Sequence, residues 1–163
     1  MRRIIPSLAG WLLLAAFPIF TSFAPTQSTT IKCMVQTVNY TGENAYIVIS
    51  LMNPNGDYER TLHVMGDDPE WYHMFDEWWE FFGRERRNID GRTGATLGAG
   101  QRRVVTFQVD EDEIDKGYKI RFETQVEDHD YFPTDVEIPL TSSLPKAPVE
   151  GSGYIKYVRL STN

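Results

Sequence analysis

A single cysteine, Cys33, and three histidines are all this chain holds of the residues that build disulfides and most metal centres. One cysteine makes no intrachain disulfide, and no Cys-x-x-Cys-His is present to attach haem. Thr30-Ile31-Lys32 ahead of it is no lipoprotein box, so Cys33 is read as a small apolar residue of a first strand. His63, His73 and His129 fall on separate predicted elements, at a spacing that matches no metal motif. Positive charge is also scarce. The 16 Lys and Arg stand against 23 Asp and Glu, for a formal net charge of -7. That balance argues against nucleic acid and anionic membrane surfaces as partners. No Gly-x-Gly-x-x-Gly and no βαβ alternation occur, which excludes a Rossmann-type nucleotide site. No Ser/His/Asp order and no carboxylate pair points to hydrolysis.

What is present begins with export. Met1-Arg2-Arg3 is basic, Ile4 to Phe23 is apolar and uncharged, and Ser22 and Ala24 are placed for cleavage. Residues 1–24 thus read as a secretory signal peptide, and the protein as periplasmic. Pro25 hinders cleavage directly after Ala24, so a neighbouring site or an uncleaved leader acting as a membrane anchor is the alternative. Residues 25–30 read as a polar lead-in and 31–163 as one domain. The hydrophobic fraction of 41% and aromatic fraction of 13% are those of a globular, aromatic-rich fold.

Seven short strands are expected, at about 31–39, 45–52, 58–65, 103–110, 118–127, 136–140 and 154–160. Tyr40 to Asn44, with Gly42, reads as a hairpin turn between the first two. Ala45 to Met52 is almost wholly apolar, so that strand is covered on both faces. Asn53-Pro54-Asn55-Gly56-Asp57 is a strong turn signal before the third strand, which carries Leu62 and Val64 inward. In the strand over 118–127, Glu123 alternates to the polar face. Residues 141–153 read as a Pro/Ser/Gly linker. One helix starts at Asp68-Pro69-Glu70 and ends at Gly83. Its core face is Trp71, Phe75, Trp78 and Phe82, while His73, Asp76, Glu77 and Glu80 take the other. The fold class is therefore mainly β: an antiparallel, Ig-like sandwich of about seven strands with one helix-plus-loop insertion at about 69–100.

The loop of that insertion carries the chemistry. Asp90-Gly91-Arg92-Thr93-Gly94-Ala95-Thr96 offers an acid, two glycines and two hydroxyls, and no bulky side chain except Arg92. Glycine lets a backbone come close to a ligand, and threonine can act as an acceptor in phosphoryl transfer. The stretch fits Asp-x-x-(Ser/Thr)-Gly-Ala-Thr at every fixed position: Asp90, Thr93, Gly94, Ala95 and Thr96. From average residue usage a chance match is expected on the order of once per several thousand chains of this length.

This pattern resembles the acceptor motif of bacterial covalent flavoproteins, onto which an ApbE-type flavin transferase moves FMN from FAD. The resemblance implies covalent FMN on Thr96 as a phosphoester, with Asp90, Thr93, Gly94 and Ala95 shaping the loop. The wider layout is similar to a bacterial family of predicted periplasmic proteins catalogued as a domain of unknown function. The features that carry it are Leu62-His63-Val64-Met65-Gly66, Trp71 with Trp78-Trp79, the loop, and a strand ending near Val126-Glu127 with His129 after it. Members of that family tend to accompany PepSY-type membrane reductases. The resemblance covers about residues 31–140.

Around the loop, Trp79 and Phe81 are candidates to stack on an isoalloxazine ring. Arg84, Arg86, Arg87 and Arg92 are candidates to meet its charge or its phosphate. The resulting expectation is an exported covalent flavoprotein that transfers electrons, rather than an enzyme with its own substrate. Its partners are the flavin transferase and a PepSY-type reductase or another periplasmic redox protein. The alternatives are a secreted ligand- or carbohydrate-binding module and a non-redox accessory subunit of a membrane complex.

Overall fold

The computed structural model describes residues 27–85, 89 and 91–162; the expected signal peptide, Asp90, Arg86 and Arg87 lie outside them. Among the described residues nine strands form two sheets. In chain order they are β1 (Ser28–Thr37), β2 (Tyr46–Met52), β3 (Tyr58–Met65), β4 (Thr93–Gly94), β5 (Arg102–Asp110), β6 (Lys119–Gln125), β7 (Tyr131–Pro139), β8 (Val149–Glu150) and β9 (Ile155–Thr162). One sheet runs β5-β1-β9-β8 and the other β4-β3-β2-β6-β7. Every pairing is antiparallel except β3 with β4. The mainly β, sandwich-like architecture expected from the sequence is the one observed.

The period-2 alternation of β1 places Ile31, Cys33 and Val35 in the space between the sheets. There they share a core with Ile47, Ile49 and Leu51 of β2, Phe107 and Val109 of β5, and Ile120 and Phe122 of β6. Burial alone pushes the Cys33 thiol well above its ordinary range, so the residue packs as an inert hydrophobe.

The first two strands do not form a hairpin. β1 pairs with β5 and β9, whereas β2 pairs with β3 and β6, so residues 40–44 cross from one sheet to the other. The crossing is pinned by Tyr40. Its hydroxyl donates to the Leu97 carbonyl at 2.8 Å and accepts from the Ala45 amide at 2.8 Å. A turn signal says that the chain reverses; it does not say which sheet it enters next. Two further differences arise because two-residue strands carry no periodicity. Thr93–Gly94 joins the edge of β3, and Val149–Glu150 pairs with β9 inside the expected linker. Ser28–Thr30, expected in the lead-in, belongs to β1.

The insertion covers the outer face of the five-stranded sheet. It is not one helix but a 3₁₀ segment, Pro69–Met74, followed by α1, Asp76–Glu85. Asp68 caps the first piece by accepting from the Glu70 amide at 3.0 Å. Three residues per turn align Tyr72 with Phe75, so Tyr72 takes the buried place expected for Trp71. Phe75 and Trp78 are buried as expected, and Phe82 is partly buried against the same cluster. The helix does not stop at Gly83 but continues to Glu85. Trp78 is fully buried, and its indole N–H donates to Thr61 Oγ1 at 2.9 Å. With Val48, Val64 and Ile89 these rings make a second core, which explains why β2 is apolar on both faces.

A buried carboxylate ties the C-terminal part to the rest. Asp135 on β7 is 3% exposed and accepts from Thr124 Oγ1 at 2.6 Å and from the amides of Ser152, Gly153 and Ile155 at 2.8, 2.8 and 2.9 Å. It thereby fixes the segment between β8 and β9. Removing this acceptor leaves two buried donors, the Thr124 hydroxyl and the Ile155 amide, unpaired, at roughly 1–3 kcal/mol each before relaxation. Asp135→Ala is therefore expected to lower the unfolding free energy by about 3 kcal/mol or more. Urea denaturation of the variant beside wild type measures it.

Candidate functional site

The acceptor-like loop is held from below by β3. The Val64 amide donates to the Arg92 carbonyl at 2.8 Å and the Gly66 amide to the Gly94 carbonyl at 2.5 Å. At its start the Arg92 amide donates to the Ile89 carbonyl at 2.8 Å, closing a turn with Gly91 at φ +78°. Glycine is suited to that left-handed conformation, and open space surrounds the position. At its end Leu97 is buried in the inter-sheet core, and it exchanges both backbone hydrogen bonds with Ala45 at 2.9 Å. The loop is thus anchored at both ends. Between the anchors Thr93 and Ala95 are exposed, and Gly94 and Thr96 are half-buried.

Gly66, directly after β3, carries one of the two supporting amides and packs closely on the Tyr46 ring. A Cβ there would lie 2.1 Å from a Tyr46 ring carbon. The Tyr72 hydroxyl donates to the Gly66 carbonyl at 2.8 Å, so the insertion reads the same point of the chain. The Leu-x-Val-x-Gly stretch is in this way the platform of the loop.

Of the sequence-predicted site residues, Thr93, Gly94, Ala95 and Thr96 lie together on this segment, and Asp90 lies outside the described residues. Among the described residues, no hydrogen bond engages the Thr96 hydroxyl. Arg103, which sequence reasoning did not single out, donates through a guanidinium nitrogen to the Ala95 carbonyl. Arg92 is exposed and donates to the Thr61 carbonyl at 3.0 Å. His63 faces Gly94: its Nε2 lies 3.7 Å from where a Cβ of that glycine would stand. Burial, and secondarily the Arg103 charge, lower the His63 pKa and favour the neutral ring. Of the two aromatics expected to face a ring ligand, Trp79 is exposed. Phe81 instead stacks on Tyr58, centroids 5.2 Å apart, as part of the second core. The Arg84 side chain lies outside what the structure describes.

A second ionisable cluster was missed. Glu123 is fully buried, opposite Val48 and beneath the insertion, not on a polar face. It accepts from the Tyr58 hydroxyl at 2.8 Å and from the Tyr131 hydroxyl. Arg121 is its nearby cation and Glu77 of α1 its nearby anion. Burial outweighs the hydrogen bonds and pushes its carboxyl up to about 7. Both tyrosine hydroxyls are raised in turn, first by burial and then by the Glu123 charge. The signal that could have found it lies in the neighbouring strand: a β2 covered on both faces implies that the centre of adjacent β6 is covered on both faces too.

The DUF2271 profile, whose description is "Predicted periplasmic protein", matches residues 28–157. The chain belongs to this family. No curated protein and no solved structure matches it. The family is described as predicted periplasmic, which agrees with the sequence reading for this DUF2271 member. Among its described residues no helix is long and apolar enough to cross a membrane, and no cluster of His, Cys, Asp or Glu is arranged to hold a metal ion.

Glu123 gives this DUF2271 member a pH signature. Its folded pKa of about 7 stands above the ordinary 4.5. The folded state therefore keeps a proton that the unfolded chain gives up, and stability is lost as pH rises through about 7. Glu123→Gln removes this loss. From about pH 5 to about pH 8 the difference in unfolding free energy is expected to move by roughly 2–3 kcal/mol in favour of the variant. Urea unfolding of both proteins at the two pH values checks the sign and the size.

Proposed function

We propose that this protein is an exported covalent flavoprotein, with FMN joined to Thr96 by a phosphoester, serving as a periplasmic electron-transfer module. The observation that carries the reading is the complete acceptor motif, on a loop fixed at both ends and open in its middle, with a threonine hydroxyl that no described residue engages. Membership of a family described as periplasmic agrees with it.

The chemistry asks little of the acceptor beyond position. The Thr96 oxygen attacks the FMN phosphorus of FAD within the transferase. A new P–O bond forms, the pyrophosphate bond breaks with its electron pair going to AMP, and the hydroxyl proton passes to a base of the transferase or to water. A threonine hydroxyl is a weak nucleophile at neutral pH, so the transferase and its metal must supply the activation. This chain supplies access and rigidity. Ala95 and Gly94 leave the approach open, and the anchors at β3 and Leu97 keep the hydroxyl from wandering.

The residues present fit a phosphoester. Arg103 brings a guanidinium group to the Ala95 carbonyl, next to Thr96, in an otherwise acidic protein. Bound FMN supplies redox chemistry that no side chain of the loop offers. A covalent tether suits the periplasm, where a released cofactor would be lost. Electrons arrive on this reading from a PepSY-type membrane reductase and leave to another periplasmic protein.

The test is intact mass and visible absorbance after co-expression with an ApbE-type flavin transferase. Wild type is expected to gain the mass of FMN and to stay yellow after denaturation, and Thr96→Ala to do neither. An unmodified wild-type mass, with the transferase active on a control acceptor, would overturn the reading.

A further inference from the structure

The outer face of the four-stranded sheet reverses the sign of the protein. Register places Lys32 and Met34 of β1 there, with Arg102 and Val104 of β5 on one side and Arg159 of β9 on the other. Val104 is 47% exposed and stands opposite Met34. An apolar centre is thus ringed by cations, joined by Lys146 from the segment that links β7 to β8. Among the described residues no carboxylate pairs with Lys32, Arg102, Lys146 or Arg159, whereas Arg60, Lys119 and Arg121 each have one. The acids of this face, Asp110 and Glu150, stand toward its ends, in register with Ser28 and Tyr157. In a chain of net charge -7 this is a local concentration of unmatched positive charge.

A groove of about 680 Å³ lies here. Two continuous runs line it, residues 142–146 of the linking segment and 159–162 of β9, together with Lys32, Met34 and Val104. β8 pairs with β9 at Tyr157 and Val158 and goes no further. Pro148, directly before β8, has no N–H to give to a ladder, so the linking segment does not continue the pairing. Among the described residues, the side of Arg159–Thr162 that faces away from β1 is therefore an unpaired strand edge, and the groove is the gap beside it. Such an edge takes up an added strand through its backbone groups.

We propose that this groove docks an extended acidic segment of a partner protein. The segment adds to the β9 edge along Arg159–Thr162, a span of about 13 Å. Its carboxylates lie against Lys32, Lys146 and Arg159, and Met34 and Val104 give the partner's body an apolar floor. The unmatched cations set the sign of the partner. The unpaired edge favours a polypeptide over a lipid surface, because a backbone supplies the regular donors and acceptors that a strand edge needs. The site does not rest on the flavin reading.

The experiment is an amide NMR titration of the exported protein with a capped seven-residue peptide of alternating Glu and Val. The same peptide with Lys in place of Glu is the control. The acidic peptide is expected to shift amides within Arg159–Thr162 and to slow their hydrogen exchange, and the basic one to do neither. Affinity for the acidic peptide is expected to fall about tenfold or more in the double variant Lys146→Glu, Arg159→Glu. Both residues are exposed, so the variant is expected to fold, and its amide spectrum reports that directly. No binding of the acidic peptide, equal binding of both peptides, or shifts that spare 159–162 would overturn the proposal. Shifts at 159–162 that grow with protein concentration and need no peptide would assign the groove to a second copy of this chain and overturn the partner. Capture by phosphatidylglycerol vesicles that the double variant loses, with the peptide silent, would make it a lipid site and overturn it likewise.

Discussion

The five-stranded sheet has to hide both of its faces, and the rest of the structure follows from that requirement. β2 is apolar along its whole length and lies in the middle of the sheet. One face is covered by the opposing sheet. The other would expose Val48 and Val64 to water, at about 25 cal/mol for each Å² of apolar surface, if nothing lay over it. The 3₁₀ segment and α1 provide that cover with Tyr72, Phe75 and Trp78. Because the cover sits between β3 and β4 in the chain, the segment that leaves it returns along the free edge of β3. The position of the acceptor-like loop is thus a consequence of core burial.

The same cover accounts for one of the two charged groups that sit where charge is costly. Glu123 is enclosed because it lies one strand from Val48, on the face that the helix must seal. Two tyrosine hydroxyls satisfy it, and its proton offsets the remaining cost near neutral pH. Asp135 meets a different solution. Backbone amides and a threonine hydroxyl surround it, and it acts as an internal clamp on the chain between β8 and β9.

Much of this was legible in the sequence. The limits of β3 over Tyr58–Met65 could be read directly, because the turn before it and the glycine after it are both explicit. The apolar run of β2 announced a second covered face, and the spacing of Phe75 and Trp78 announced the cover. Topology was less legible. Gly42 signals a bend, but long-range pairing decides whether the chain stays in its sheet. Trp71 and Tyr72 exchanged roles because a 3₁₀ turn and an α-turn differ by about 0.6 residues per turn. The loop motif was visible as a string of residue types. Its neighbours His63 and Arg103 were not, since they come from two strands that meet only in the folded chain.

The two-residue strand β4 occupies the outer edge of β3, and with it the sheet ends in a loop instead of in an open ladder of amides and carbonyls. Free edges of this kind recruit strands from other molecules, and proteins hide them with short or irregular segments. The loop that presents Thr96 is therefore also a guard against self-association. On the proposed flavin reading, an enzyme that grips this loop would act on a closure of the sheet as well as on a hydroxyl. The shorter the stretch it has to lift, the less of the β3 edge is bared while it works. A motif packed into seven residues, with Thr96 one position before the buried Leu97, would on that reading keep the exposure small.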